Sequence, residues 1–186
     1  MRKSILAPIA IVICLSLKAQ DYKTDVKTQF MQYMNLIMQK KFDKAMDYIN
    51  PALFKIIPKE QFEQAMEAAF NNPSMEVSVE KAEIASTSDK QVISGVSYVK
   101  IKYVSYARLR MILEKGQHLD TAVLIQALEK SFGKGNVTYD KATNYFKMKK
   151  TENAVANSTD NKKWTFLVLA EGQKSMLEKI LPKELL

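Results

Sequence analysis

The chain has 186 residues, with 28 Lys and Arg against 20 Asp and Glu, a formal net charge of +8, one histidine and one cysteine. Zinc sites of the usual kinds need three or four Cys and His ligands, so this composition leaves no metal centre to expect. Of five glycines only Gly133 and Gly135 lie close together, so no phosphate-cradling loop is present and no nucleotide cofactor is expected.

The N-terminus has its own character. Arg2 and Lys3 precede an apolar run from Ile5 to Leu17, broken only by Pro8 and Ser16, and Lys18-Ala19-Gln20 follows. A basic start, a short apolar core and a small residue at the end form a secretory signal peptide. The run is shorter than the roughly 20 apolar residues a bilayer span requires. Cleavage is expected near Ala19. It would remove Arg2, Lys3 and Lys18, leaving 25 cations against 20 acids and a net charge of +5. Cys14 would go too, so the mature chain, residues 20–186, has neither a disulfide nor a thiol nucleophile. Ile13 is not the small residue a lipidated cysteine requires, so Cys14 reads as part of the signal's apolar core. The expected destination is the periplasm or the extracellular space, with no membrane span in the mature chain. A charge of +5 without a concentrated basic stripe gives no support to nucleic-acid binding.

In residues 22–39, Tyr22, Val26, Phe30, Tyr33, Met34 and Ile37 recur at helical spacing, which predicts a first helix. A short second helix carries Phe42, Ala45, Met46 and Ile49, and Asn50-Pro51 breaks it. One further turn is expected over Leu53–Ile57. Pro58 then opens a third helix lined by Phe62, Ala65, Met66, Ala69 and Phe70, which Asn71-Asn72-Pro73 stops. From Met75 the period becomes two: Met75, Val77 and Val79 alternate with Glu76, Ser78 and Glu80, a half-buried strand running towards Ile84. Gln91–Leu113 reads as one long strand, expected to bend at Ser105–Ala107 or Gly95. Asp120 or Thr121 caps a helix over 121–132. Strands are expected over 136–139 and 143–149, followed by a polar stretch at 153–163. A last strand carries Trp164, Phe166 and Val168, and a short amphipathic segment ends at Pro182. No linker separates two domains, and the fold class is α+β, in one domain over 20–186.

This order, together with Lys41-Phe42-Asp43-Lys44-Ala45, Tyr48-Ile49-Asn50-Pro51, Phe54 with Pro58-Lys59-Glu60, and Lys163-Trp164-Thr165-Phe166, resembles the NTF2-like superfamily and in particular its exported bacterial members. The resemblance implies a cystatin-like cone, N-terminal helices against a curved antiparallel sheet, with the helix at 121–132 as an addition. The superfamily holds isomerases, hydrolases and non-catalytic binding modules. No position matches a specific catalytic motif of its enzymes.

His118 and Asp120 are the one pair with acid–base potential; their place in an exposed turn favours Asp120 as a helix cap, and no catalytic residue is assigned. Tyr33 and Ile37 on the first helix, with Tyr103 and Ser105 on the long strand, would line a pocket inside a cone. Tyr98, Lys100, Lys102, Tyr106, Arg108 and Arg110 would stand on the strand's other side. There, aromatics between cations suit an anionic or protein partner, including a second copy of the chain through this face. The inward positions read in this way offer no carboxylate. The expected function is therefore that of an exported, non-catalytic module binding a small apolar ligand or a partner protein. The alternative is a cone-pocket enzyme of the isomerase or hydrolase kind.

The leader makes a direct prediction. Mass spectrometry of the protein from its native host should find a mature N-terminus near Gln20. A product still starting at Met1, or lipid on Cys14, contradicts the assignment.

Overall fold

The structure is a computed structural model that describes residues 13–170 and 172–186, with side chains from residue 22 onward. The leader expected over residues 1–19 falls largely outside the described residues.

Helix α1 (Ile13–Met38) sends Val26, Phe30 and Met34 inward at four-residue spacing, and all three are buried. After it come α2 (Phe42–Ala45), 3-10 turns at Met46–Tyr48 and Leu53–Lys55, and α3 (Lys59–Phe70). Pro58 stands at the N-cap of α3 with φ −52°, an extended entry into the helix.

Six strands form one antiparallel sheet: β1 (Met75–Thr87), β2 (Gln91–Ile93), β3 (Val96–Met111), β4 (Val137–Asp140), β5 (Tyr145–Ser158) and β6 (Thr165–Val168). The two long strands β3 and β5 pair from Ser97↔Ser158 to Leu109↔Phe146 without a register shift. One side of β3 takes β2 and then β1; the far side of β5 takes β4 over Tyr145–Met148 and β6 over Ala154–Asn157. The sheet is curved and does not close, and helices pack against it: the protein is α+β.

Three expectations are corrected. The segment 91–113 is not one bent strand. Ser94 and Gly95, with φ of 50° and 81°, make a two-residue hairpin turn between β2 and β3, a conformation that suits the twist of the flanking strands and favours glycine. The register shifts lie on β1, at Val79/Lys81 and Ile84/Ser86, rather than on β3. These bulges break up the hydrogen-bonding edge of β1, which also carries Glu76, Glu80, Lys81 and Glu83. In addition, the strand expected to end at Lys149 continues to Ser158. The polar residues Asn153 and Asn157 stand on its outer face, while Ala154 and Ala156 are the small inward residues that fit beneath α1.

The unbroken β3–β5 register fixes which side chains share a face. Val99, Ile101, Tyr103, Ser105, Ala107 and Leu109 point inward with Phe146, Met148, Lys150, Glu152, Ala154 and Ala156. Helix α1 covers one end of this face through Val26, Phe30, Met34, Val99, Ile101, Tyr103 and Trp164. Helix α4 (Thr121–Phe132) covers the other end, with Leu124, Ile125, Leu128 and Phe132 against Val137, Phe146 and Met148. Its bounds match the helix expected from sequence, and Asp120 caps it, accepting from Ala122 and Val123 N–H at 3.0 Å each. On the outer face, Val155 and Leu167 are closed over by the C-terminal segment, α5 (Lys174–Leu177) and a 3-10 turn at Lys183–Leu185, through Leu177, Leu181 and Leu185.

Gln29 ties α1 to the turn before β6. Its Oε1 accepts from Trp164 N–H at 2.9 Å and its Nε2 donates to Lys162 C=O at 2.7 Å. Asp160 shapes the same turn, accepting from Lys162 and Lys163 N–H. Trp164 is thereby delivered into the core at 0 % exposure, where its indole N–H finds no partner among the described residues. Packing outweighs that unmade bond. Trp164→Ala should cost about 3–5 kcal/mol in denaturant unfolding. Trp164→Phe, which also removes the unpaired donor, should cost less. A near-native Ala variant contradicts this placement.

Candidate functional site

Between α1, the 3-10 turn at Leu53–Lys55, α3, β6 and the residues Ala170, Gln173 and Met176 lies an apolar cavity of about 270 Å³. Ile49, Leu53, Ile57, Phe62, Met66, Phe166 and Met176 supply most of its wall, and Tyr33 and Gln173 are its polar side chains. The local sequence explains the space. Asn50-Pro51 ends the second helix, and Asn50 caps the next turn through Ala52 N–H at 2.9 Å. The chain then docks on β6 by Asn50 N–H to Phe166 C=O, also 2.9 Å. Helix α3 therefore stands off from the sheet, with no fully buried residue of its own.

Tyr33 is positioned by an aromatic cluster. Its ring stacks on Phe166 at 6.1 Å and lies 6.2 Å from Phe30, which meets Phe166 and Tyr103 edge-on at 5.2 and 5.0 Å. Burial, with a smaller contribution from the charge of Glu152, pushes the Tyr33 phenol up to about 12. At neutral pH it is a hydrogen-bond donor and acceptor and not a base.

Of the four residues expected to line a pocket, Tyr33 lines the cavity. Ile37 packs with Phe42 and Ala45 in the core beside it, and Tyr103 is buried beneath Phe30. Ser105 lies further along the inner face and donates to Glu152 Oε2 at 3.0 Å. Glu152 overturns the expectation of an inward surface without a carboxylate. It was hidden because the strand appeared to end at Lys149; once β5 runs to Ser158, Glu152 stands directly opposite Tyr103 on the inner face. Its side chain is 22 % exposed, and Lys150 Nζ lies 3.8 Å from Oε1. Desolvation, the charge of Glu152 and a hydrogen bond to it all raise the Tyr103 phenol far above its ordinary value. The cavity-lining Leu53, Ile57, Phe62 and Met66 carried a legible signal, since each sat on an apolar helical face; what the sequence lacked was the gap between those faces.

His118 is exposed, and the Asp120 carboxylate is committed to capping α4. The pair is not assembled into an acid–base site.

The proposed interaction residues share the outer face of β3, as their alternation requires. Tyr98 packs into the apolar cluster under the C-terminal segment, and burial raises its phenol. Lys100 and Lys102 have no ion pair among the described residues. The others belong to an internally paired network. Arg108 meets Glu80 at 3.2 Å and Arg110 meets Glu76 at 2.5 Å, both guanidinium groups lying over the Tyr145 ring at 4.7 and 4.9 Å. Tyr106 lies between Lys81 and Lys149, at 5.6 and 6.0 Å. The hydroxyl of Tyr145 and then Arg110 hold Glu76 below the usual carboxylate range; Lys81 and Tyr106 do so for Glu83, and Lys147 for Asp140.

No family model matches this chain, and no curated protein matches it. Among the described residues no helix is long and apolar enough to cross a membrane.

The depressed carboxylates set a pH dependence. A group whose folded pKa lies below its unfolded value contributes stability above the unfolded value, near 4, and loses it as pH falls through the folded one. The urea midpoint should hold steady between neutral pH and about 5 and drop below about 4. A midpoint that stays flat into stronger acid contradicts the paired network.

Proposed function

We propose that this chain is an exported, NTF2-like module that binds a small apolar molecule, or an apolar side chain of a partner protein, without transforming it. The observation that carries this reading is the cavity beside Tyr33. Its size lies just below the usual range for small-molecule sites, about 300–1,000 Å³. Its wall is mostly apolar, with two polar side chains among the described residues, Tyr33 and Gln173, available to orient a guest. The helix order and the curved open sheet support the superfamily assignment, and the basic, apolar, small-residue order of residues 1–19 supports export.

One observation favours the second reading, an enzyme working on the inner face. Glu152 is an inward carboxylate beside two tyrosines, the type of group that abstracts a proton. Against it, the carboxylate already accepts from Ser105 and Tyr103 and faces Lys150, and the phenol nearest the cavity keeps its proton. Binding is therefore the reading the geometry supports best.

The uncharged dye N-phenyl-1-naphthylamine should brighten on addition of the protein and saturate at one site. Met66→Trp, which fills the cavity, should abolish the response while the unfolding temperature stays within a few degrees of wild type; Leu53→Phe serves if the Trp variant does not fold. No response, or one insensitive to both substitutions, contradicts the proposal.

A further inference from the structure

Resting on the cavity reading above, we infer that its ligand is a small apolar amine in its ammonium form, the hydrocarbon part enclosed by Leu53, Phe62 and Met66 and the cation held at the Tyr33 end, towards Glu152.

The first ground is the sheet register. Val168 of the cavity wall is the cross-strand neighbour of Ala154, and Glu152 is two residues along β5 on the same face. That makes Glu152 a diagonal neighbour of the wall, about 7–8 Å away between backbones and within reach of a long side chain. β4 pairs with β5 only as far as Met148, and the chain beyond β6 still bonds Asn153 C=O through Leu169 N–H, so Glu152 lies just past the end of the β5–β6 ladder. The carboxylate stands behind the Tyr33 end of the wall, close enough for its charge to act on the Tyr33 phenol.

The second ground is charge. Among the described residues lining the cavity there is no lysine and no arginine. Lys150 does face Glu152, but at 3.8 Å, and its ammonium leans towards α4, 5.9 Å from the centre of the Phe132 ring. Glu152 itself does not line the cavity: its carboxylate accepts from Ser105 and Tyr103 and is countered by Lys150 from the α4 side, and its charge is felt in the wall at Tyr33. A ligand carboxylate would meet a like charge with no cation in the wall to offset it.

The third ground is the surface offered to a cation. Tyr33, Phe62 and Phe166 contribute rings to the wall, and a ring face attracts an ammonium placed within about 6 Å of its centre. Acceptors for the ammonium hydrogens are present as well: the Tyr33 phenol oxygen, the Gln173 amide and the backbone of Val168. Because Leu169 N–H bonds Asn153 C=O, Leu169 and Leu167 direct their backbone groups at β5, and Val168 directs its own away from it.

The test compares three probes of one size at neutral pH by calorimetry and by the NMR shifts of the Met66 and Met176 methyls: 2-phenylethylamine, 2-phenylethanol and phenylacetate. The amine should bind about tenfold more tightly than the alcohol, with the acid weakest. Glu152→Gln retains an acceptor for Ser105 and should remove the amine's advantage while leaving alcohol binding within about twofold. Lys150→Met, which frees Glu152 of its counter-charge, should widen the advantage and serves if the Gln variant does not fold. Acid binding as tightly as amine, or an amine preference that survives Glu152→Gln, overturns the inference. If N-phenyl-1-naphthylamine is taken up but none of the three probes binds, the amine assignment fails and the cavity reading stands. If the dye is not taken up either, both fail.

Discussion

Phe30 is the contact on which the rest of the molecule depends. It is fully buried where α1 crosses the inner face of the sheet, and its ring meets Tyr103 from β3 and Phe166 from β6 edge-on while lying beside Tyr33. A side chain of this size buries well over a hundred square ångströms, and the edge-on contacts add directionality that aliphatic packing lacks. One helix is thereby locked both to the central strand β3 and to the last strand β6. Gln29, the preceding residue, secures the same junction by polar means through Trp164 and Lys162.

The cavity follows from this arrangement. The chain at Ile49 and Asn50 runs beside β6, bonded to Phe166 C=O, and Phe62 and Met66 of α3 face Phe166 and Val168 across the space. The space of about 270 Å³ is a cleft that opens to solvent between half-buried side chains such as Ile57, Phe62, Met66 and Met176. An apolar wall of this kind favours apolar guests over water. Tyr33 is at once a member of the Phe30 cluster and a wall of the cavity, which links the stability of the fold to the geometry of the site.

Much of this was legible in the sequence. The helices announced themselves by four-residue spacing, as in Val26, Phe30, Met34 and Ile37, and by breakers such as Asn50-Pro51 and Asn71-Asn72-Pro73. Helix α4 was readable from Asp120 at one end and Gly133 at the other. The outer face of β3 followed from simple alternation. Two things were not legible. The continuation of β5 through Glu152 and Asn153 was masked by polar composition, since a strand covered by a helix on one side and open on the other can place polar residues on both faces where the covering helix ends. The pairing of the outer-face cations also escaped a linear reading: Arg108 and Arg110 find their partners, Glu80 and Glu76, about thirty residues away, through the β1–β3 register. Half of the cations in a patch that reads as available charge, Arg108 and Arg110, are neutralised in place, while Lys100 and Lys102 have no ion pair among the described residues.

The account's central claim is that the space beside Tyr33 is open, apolar and built into the resting fold. Diffraction from a crystal held under xenon pressure tests it most directly, because xenon enters dry apolar cavities without needing a specific ligand. The account predicts xenon density among Leu53, Met66 and Phe166, with the surrounding side chains unmoved. Side chains of α3 collapsed onto β6, or a chain of ordered water in place of the gas, would contradict it.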